Sequence, residues 1–444
     1  HLGLGLYRHM LSPEYYAFAR QAGCSHLVIH LVDYFNQGGD NPRGNQPTGG
    51  KAQPWGFAGD PGRLWSAAEL IGIRREIEAE GLQLAAIENL DPAHWHDILI
   101  DGPRRPQHIE NVKTILRHMG EAGIPVLGYN FSIAGVAGRV SGPWARGGAL
   151  TVGMDGPVDD PLPLGTVWNM IVDPNAPALP LPSATHDQLW DRLRRFLDDV
   201  LPTAEAAGVR LAAHPDDPPL PFVRQQPRLV YQPHMYQRLL DLAPSPHNAL
   251  ELCVGTLAEM TEDNIYDAIA AYARQQRIAY IHLRNVTGKV PHYRETFIDD
   301  GDVDMLRVLA ILHENQFDGV IIPDHTPQMT CSAPWHAGMA HTLGFLAAAL
   351  ASLRYLELNE PLSGNARARA LRAALLLLLL LLPAPASAAL LPHARPVPAS
   401  PDAIRAHQPS VENGLAPAPE RLGHFESKPQ IGEHTSELQS LTNL

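Results

Sequence analysis

Four apolar runs between residues 209 and 325 end in residue types that can bind metal ions. Residues 209–213 lead into His214, which is followed by Pro215, Asp216, Asp217, Pro218 and Pro219. The run ALELCVG ends near Cys253, IAYIHLRN carries His282, and GVIIPDH ends in Asp324 and His325. Short apolar runs of this kind read as buried strands, and the paired prolines stop regular structure. In a parallel barrel the C-terminal ends of the strands share one rim, where chemistry is done. Two neutral imidazoles, a thiolate and a carboxylate would then converge. That borderline donor set suits a divalent cation: manganese, ferrous iron, cobalt or zinc, with no choice among them made by the ligands. His214, Cys253, His282 and Asp324 are therefore the expected metal ligands. One such histidine would read as an ordinary polar residue, and a single cysteine as a small buried hydrophobe. The recurrence at four successive strand ends carries the reading.

Those ends need a scaffold, and the rest of the chain supplies one. Strands are expected at residues 2–7, 26–32, 82–88, 125–131, 209–214, 249–253, 278–283 and 319–324. Helices are expected at 12–23, 66–80, 107–122, 186–207, 231–242, 264–275, 304–315 and 334–354. The first helix shows the local logic: Ser12 caps it, Pro13 fits its first position and Gly23 ends it. Eight strands alternating with helices predict an α/β fold, a closed (β/α)8 TIM barrel rather than an open doubly wound sheet. No glycine-rich dinucleotide or P-loop motif follows an early strand. Residues 35–63 form a long loop rich in Gly, Pro and Asn, and loops of that length are usually functional or disordered. Residues 132–185 show no periodic element and read as a rim insertion, a lid or an oligomer contact. Residues 292–304 are charged and expected to move. Within them begins DGDVDM (300–305), read as a substrate lid or, more plainly, as a turn into the next helix.

The 444 residues allow one barrel domain, expected over residues 1–360, with 361–444 as an unstructured tail. A net charge of -13 without a basic stripe argues against nucleic acid as a partner. Three widely spaced cysteines suggest a reduced, cytoplasmic protein. The chain opens at His1 rather than Met, so a few preceding residues are expected. The tail has arginines, then eight leucines (375–382), then small residues. That is the layout of a secretory signal peptide, misplaced, and too short for the roughly 20 residues that span a bilayer. We expect it to be non-native sequence and expect no membrane partner.

The motifs HPDDPP, Cys-x-Gly, IHLRN, DGDVDM and PDH, together with GIPVLGYNF (123–131), resemble the mannonate dehydratase family over residues 1–350. The resemblance implies a xylose isomerase-like barrel that uses manganese or a similar ion to convert D-mannonate to 2-dehydro-3-deoxy-D-gluconate and water. It implies that the partner is a small sugar acid and that the protein is a homo-oligomer. By resemblance Asp324 ligates the metal and His325 takes part in proton transfer. Dehydration needs a base for the hydrogen beside the carboxylate and an acid for the departing hydroxyl, and histidine suits either task. Arg284 is the expected clamp on the substrate carboxylate. Asn130, Glu88, Asp216 and Asp217 are further expected substrate contacts, the two aspartates also serving as partners for a ligating histidine. His30 is a weaker candidate. The chain departs from the family pattern in its N-terminal strand and at three further places. Thr326 follows PDH where glycine is usual. Trp335 or His336 stands where the family has a tyrosine, so His336 is the expected substitute acid. VAGRVSGPWARGG replaces an Arg-Thr stretch, with Arg139 or Arg146 as its substitute. These changes keep two rivals open: a sugar isomerase or epimerase, and a barrel that binds a sugar acid without turning it over. A phosphoesterase barrel would want more carboxylate ligands and a basic groove.

Overall fold

Apolar runs with little polar alternation become strands buried on both faces, as a parallel sheet covered by helices requires. The computed structural model describes residues 1–35 and 54–358, all within the compact unit His1–Leu382. Eight strands form one parallel sheet in chain order: β1 Gly3–Leu6, β2 His26–Ile29, β3 Gln83–Glu88, β4 Val126–Tyr129, β5 Arg210–Ala213, β6 Asn248–Cys253, β7 Ile278–Leu283 and β8 Val320–Pro323. A parallel bridge from Leu2 to Ile321 joins β8 back to β1, and the Ile321 N–H donates to the His1 carbonyl at 2.8 Å. The barrel is therefore closed, as the eight alternating elements predict.

Ten helices accompany the strands: α1 Pro13–Gln21, α2 Ala67–Ala79, α3 Pro92–Ile100, α4 Arg105–Ala122, α5 His186–Ala207, α6 Met235–Leu242, α7 Val254–Glu259, α8 Ile265–Arg274, α9 Met305–Glu314 and α10 Pro334–Leu358. Their ends obey local chemistry. Asp91 caps α3 by accepting from the Ala93 N–H, and Thr185 and Gln188 form a capping box at α5. Gly123 and Gly208 end α4 and α5 with φ of 68° each, a conformation that glycine adopts at little cost. Small and branched side chains such as Val28, Ala86, Ala212 and Ile322 fill the barrel interior, while a larger apolar layer lies between strands and helices. Pro334–Leu356 of α10 is, among the described residues, the helix long and apolar enough by composition to cross a membrane; its Leu343 and Leu346 are fully buried in this core.

Three sequence expectations change. The 132–185 insertion contains ordered strands: Arg139–Ala145 pairs antiparallel with Ala149–Asp155. The latter pairs with His292–Thr296, which pairs with Asn285–Lys289, making a four-stranded sheet on the rim. The 292–304 segment, expected to move, thus begins as a strand of that sheet. DGDVDM takes its plainer reading: Asp304 caps α9 by accepting from the Arg307 N–H. Helices α3 and α7 are additional; each is too short, and too thoroughly buried, to show amphipathic periodicity. The central part of the 35–63 loop and the tail after 358 lie outside the described residues.

Candidate metal centre and active-site cleft

Strands β5, β6 and β7 deliver His214, Cys253 and His282 to one place. One ligand atom from each lies within 4.8 Å of the others. Asp324, just past β8, completes the group: its carboxylate lies 3.7 Å from Cys253 Sγ and 3.8 Å from His282 Nδ1. The hydrogen bonds around the two histidines select their ligating nitrogens. His214 Nδ1 is 2.6 Å from the Pro215 carbonyl, which can only accept, so the proton sits there and Nε2 keeps its lone pair. His282 Nε2 lies 3.0 Å from Glu88 Oε2, and its buried Nδ1 makes no hydrogen bond. Carboxylate support of a ligating imidazole is the usual way its tautomer is fixed. Cys253 caps α7, accepting from the Thr256 N–H at 3.4 Å.

The electrostatics favour a cation. Burial and Asp324 push the Cys253 thiol up, but His214, His282 and Arg284 outweigh them and hold it down at about 5. Burial opposes charge on His214 and His282; Glu251 raises the first to about 9, and Glu88 and Glu251 raise the second well above its ordinary value. Asp324 is held well below the carboxylate range despite burial, by His325 and Arg284. A thiolate, a carboxylate and two histidines pulled towards the cationic form make a site where a divalent cation can replace protons. The donor set fits such an ion.

A cleft opens above this group, lined on the ligand side by His214, His282, Asp324, His325 and Asp217. Its other wall is Tyr7, His30, Tyr34, Glu88, Asn89 and Asn130, with Arg139, Trp55, Trp168 and Trp335 around the mouth. His325 is gripped at both nitrogens: Nε2 is 3.0 Å from Asp324 Oδ1 and Nδ1 is 3.3 Å from Glu295 Oε1. Burial works against the imidazolium, but these carboxylates win and raise its pKa.

The structure redistributes several expected substrate contacts. Arg284 is fully buried, absent from the cleft lining, and paired with Asp217 at 3.0 Å, Glu259 at 3.1 Å, Glu295 at 2.6 Å and Asp324 at 3.0 Å. Surrounded by four carboxylates, it is a brace beneath the site rather than a clamp on substrate. Asp216 is also a brace: it accepts from Arg228 at 3.0 Å and from the Leu229 and Val230 N–H groups at 2.7 and 2.9 Å. Asp217 lines the cleft but is bound to Arg139, Arg284 and Thr256. Glu88 lines it too, with Oε2 taken by His282. Asn130 lines it, as expected. His336 does not. Its ring packs against Tyr15 and Phe18 of α1, 5.3 and 4.8 Å between centroids; the neighbouring Trp335 ring meets the same two residues at 5.7 and 5.8 Å but also lines the cleft. Arg139 is the buried cation that lines the cleft, whereas Arg146 is half exposed and pairs with Asp299.

Glu295, Glu251, Tyr7 and Tyr34 escaped the sequence reading. Glu251 had a visible signal, a lone carboxylate inside an apolar strand. It sits under the ligands, 3.2 Å from His282 Nε2, with its pKa raised to about 8 by burial and Glu88. A side chain on Gly128 would put its Cβ 2.3 Å from Tyr280 Oη and 2.6 Å from Glu251 Oε2, so this glycine makes room for both. Glu295 had no local signal, since its partners Arg284 and His325 come from β7 and the end of β8.

Comparison with known proteins shows the family to which this chain is similar. The family model for D-mannonate dehydratase (UxuA) matches residues 45–149 and 183–349. A mannonate dehydratase from Streptococcus equi subsp. zooepidemicus is 33% identical over 294 residues, 60% of this chain and 75% of that one. One from Lactococcus lactis subsp. cremoris is 30% identical over 293 residues, 60% of this chain and 79% of that one. The crystal structure of mannonate dehydratase from Streptococcus suis serotype 2 superposes with a TM-score of 0.63 at 24% identity, covering 82% of this chain and 96% of that one.

Proposed function

This chain belongs to the D-mannonate dehydratase family, and from that premise we propose that it is a hydro-lyase that removes water from D-mannonate to give 2-dehydro-3-deoxy-D-gluconate. The observation that carries the reading is the convergence of His214, Cys253 and His282 within 4.8 Å of one another beside Asp324, with His214, His282 and Asp324 lining the cleft. These four residues would hold the divalent cation, for which we propose Mn2+. When bound, such an ion supplies Lewis-acid stabilisation of the negative charge that develops on substrate oxygens. The chain's own groups do the rest. Arg139, buried at the cleft and fixed by Asp217, offers the cation for the substrate carboxylate. His325, whose imidazolium form Asp324 and Glu295 favour, would be the donor of a proton to the departing hydroxyl. Asn130 is placed to bond a sugar hydroxyl. The proposal includes a homo-oligomer in the cytoplasm; its three cysteines, none in a disulfide, support the location.

The test uses the full chain, stripped of metal, reloaded with Mn2+ and given D-mannonate. The expected result is metal-dependent formation of 2-dehydro-3-deoxy-D-gluconate, lost together with bound metal in Cys253→Ser. Stoichiometric metal without product would overturn the assigned reaction.

A further inference from the structure

Dehydration needs two proton-transfer groups, and the ligand side of the cleft supplies one, His325. The other wall contains a second histidine built into a defined hydrogen-bonded chain. His30 directly follows β2, and its Nδ1 lies 3.2 Å from Tyr34 Oη. Tyr34 is fixed in turn: Asn89 Nδ2 donates to the same oxygen at 3.1 Å, and Trp55 and Trp168 pack against the phenol ring. Asn89 holds a left-handed backbone, φ 69°, which few side chains other than Asn, Asp and Gly adopt readily, and which is often a mark of function. The ring of Tyr7 covers His30 at 5.0 Å. His30 Nε2 is left towards the cleft, with Glu88 Oε1 3.7 Å away. That separation is beyond a hydrogen bond, yet close enough to stabilise an imidazolium once a proton arrives. Burial meanwhile lowers the pKa of His30, which favours the neutral imidazole that a base requires.

We propose that His30 is the catalytic base of the dehydration, working across the cleft from His325 as acid. This assignment rests on the dehydratase reading above. In the step, His30 Nε2 takes the hydrogen on C2 as a proton. The C–H electron pair becomes the C2–C3 double bond, and the C3–O bond breaks. The hydroxyl leaves as water with the proton from His325, and the resulting enol tautomerises to the 2-oxo acid. The two histidines stand at rim positions flanking β1, their backbones two inter-strand spacings or roughly 10 Å apart, and both side chains line the cleft. Tyr34 is a positioning residue for His30.

The experiment compares His30→Ala with the wild type, each as full chain reloaded with Mn2+, on D-mannonate. The variant is expected to keep its metal and its affinity for the product, to lose kcat by about 100-fold or more, and to regain activity in proportion to added imidazole. Tyr34→Phe is expected to lower kcat by about tenfold with KM unchanged. A His30→Ala variant within a few-fold of wild type overturns the assignment alone. So does loss of bound metal, or lost activity that imidazole does not restore while metal and product binding persist. Wild-type protein that holds Mn2+ yet leaves D-mannonate intact overturns the dehydratase reading and this assignment with it.

Discussion

The two halves of the rim are built on different principles. The half formed by β5 to β8 is ionic: His214, Cys253, His282 and Asp324 sit on an arginine-centred network in which Arg284 meets four carboxylates. The half formed by β1 to β3 is mostly neutral and aromatic, with Tyr7, His30, Tyr34 and Asn89 linked by single hydrogen bonds and ring contacts. Glu88 connects them, touching His282 on one side and His30 on the other. The difference teaches a division of labour. A dense charge network holds the candidate ligands and His325 by strong, mutually compensated forces. A neutral wall favours the uncharged imidazole that the base proposed for His30 requires.

The largest test of this contrast is Arg284→Met, which leaves buried carboxylates uncompensated. It is expected to cost about 3–5 kcal/mol of stability in denaturant unfolding; a comparable loss from Tyr7→Phe would erase the distinction between the halves. Next comes the connector. Glu88→Gln removes the carboxylate behind a ligating histidine and is expected to weaken metal affinity about 10- to 100-fold, read by competition with a chelating dye. Arg139→Lys keeps the charge but loses the planar fork, so KM for D-mannonate is expected to rise roughly tenfold with metal content unchanged.

A smaller effect lies in the pH dependence of stability. Burial would raise the Asp217 carboxyl, but Arg139 and Arg284 overcome it and hold the pKa at about 2. An unfolded aspartate titrates at about 3.9. The folded state therefore gains stability from Asp217 above pH ~4 and loses it as pH falls towards 2, an amount of about 2–3 kcal/mol. Asp217→Asn should be less stable than wild type by that amount at neutral pH, and the gap should close between pH ~4 and ~2. The smallest effect is His336→Phe. With the ring packed on α1 outside the cleft, kcat/KM is expected to stay within about twofold; a drop of 100-fold would put His336 back among the proton-transfer groups.

The sequence by itself determined the barrel and which four candidate ligands stand at strand ends, because both arise from local pattern. Apolar runs define strands, parallel strand ends share a rim, and His214, Cys253, His282 and Asp324 each stand at such an end. The tertiary structure alone decided who pairs with whom. Arg284 read as a substrate clamp because its four carboxylate partners arrive from four other segments, invisible to any local window. Glu295 and the rim sheet that carries it depend on pairing between strands about 140 residues apart, which no periodicity announces. His336 read as an acid by its position beside Trp335, yet one residue on a helix turns a side chain by about 100°, and of these two rings, both packed on α1, the tryptophan reaches the cleft and the histidine does not.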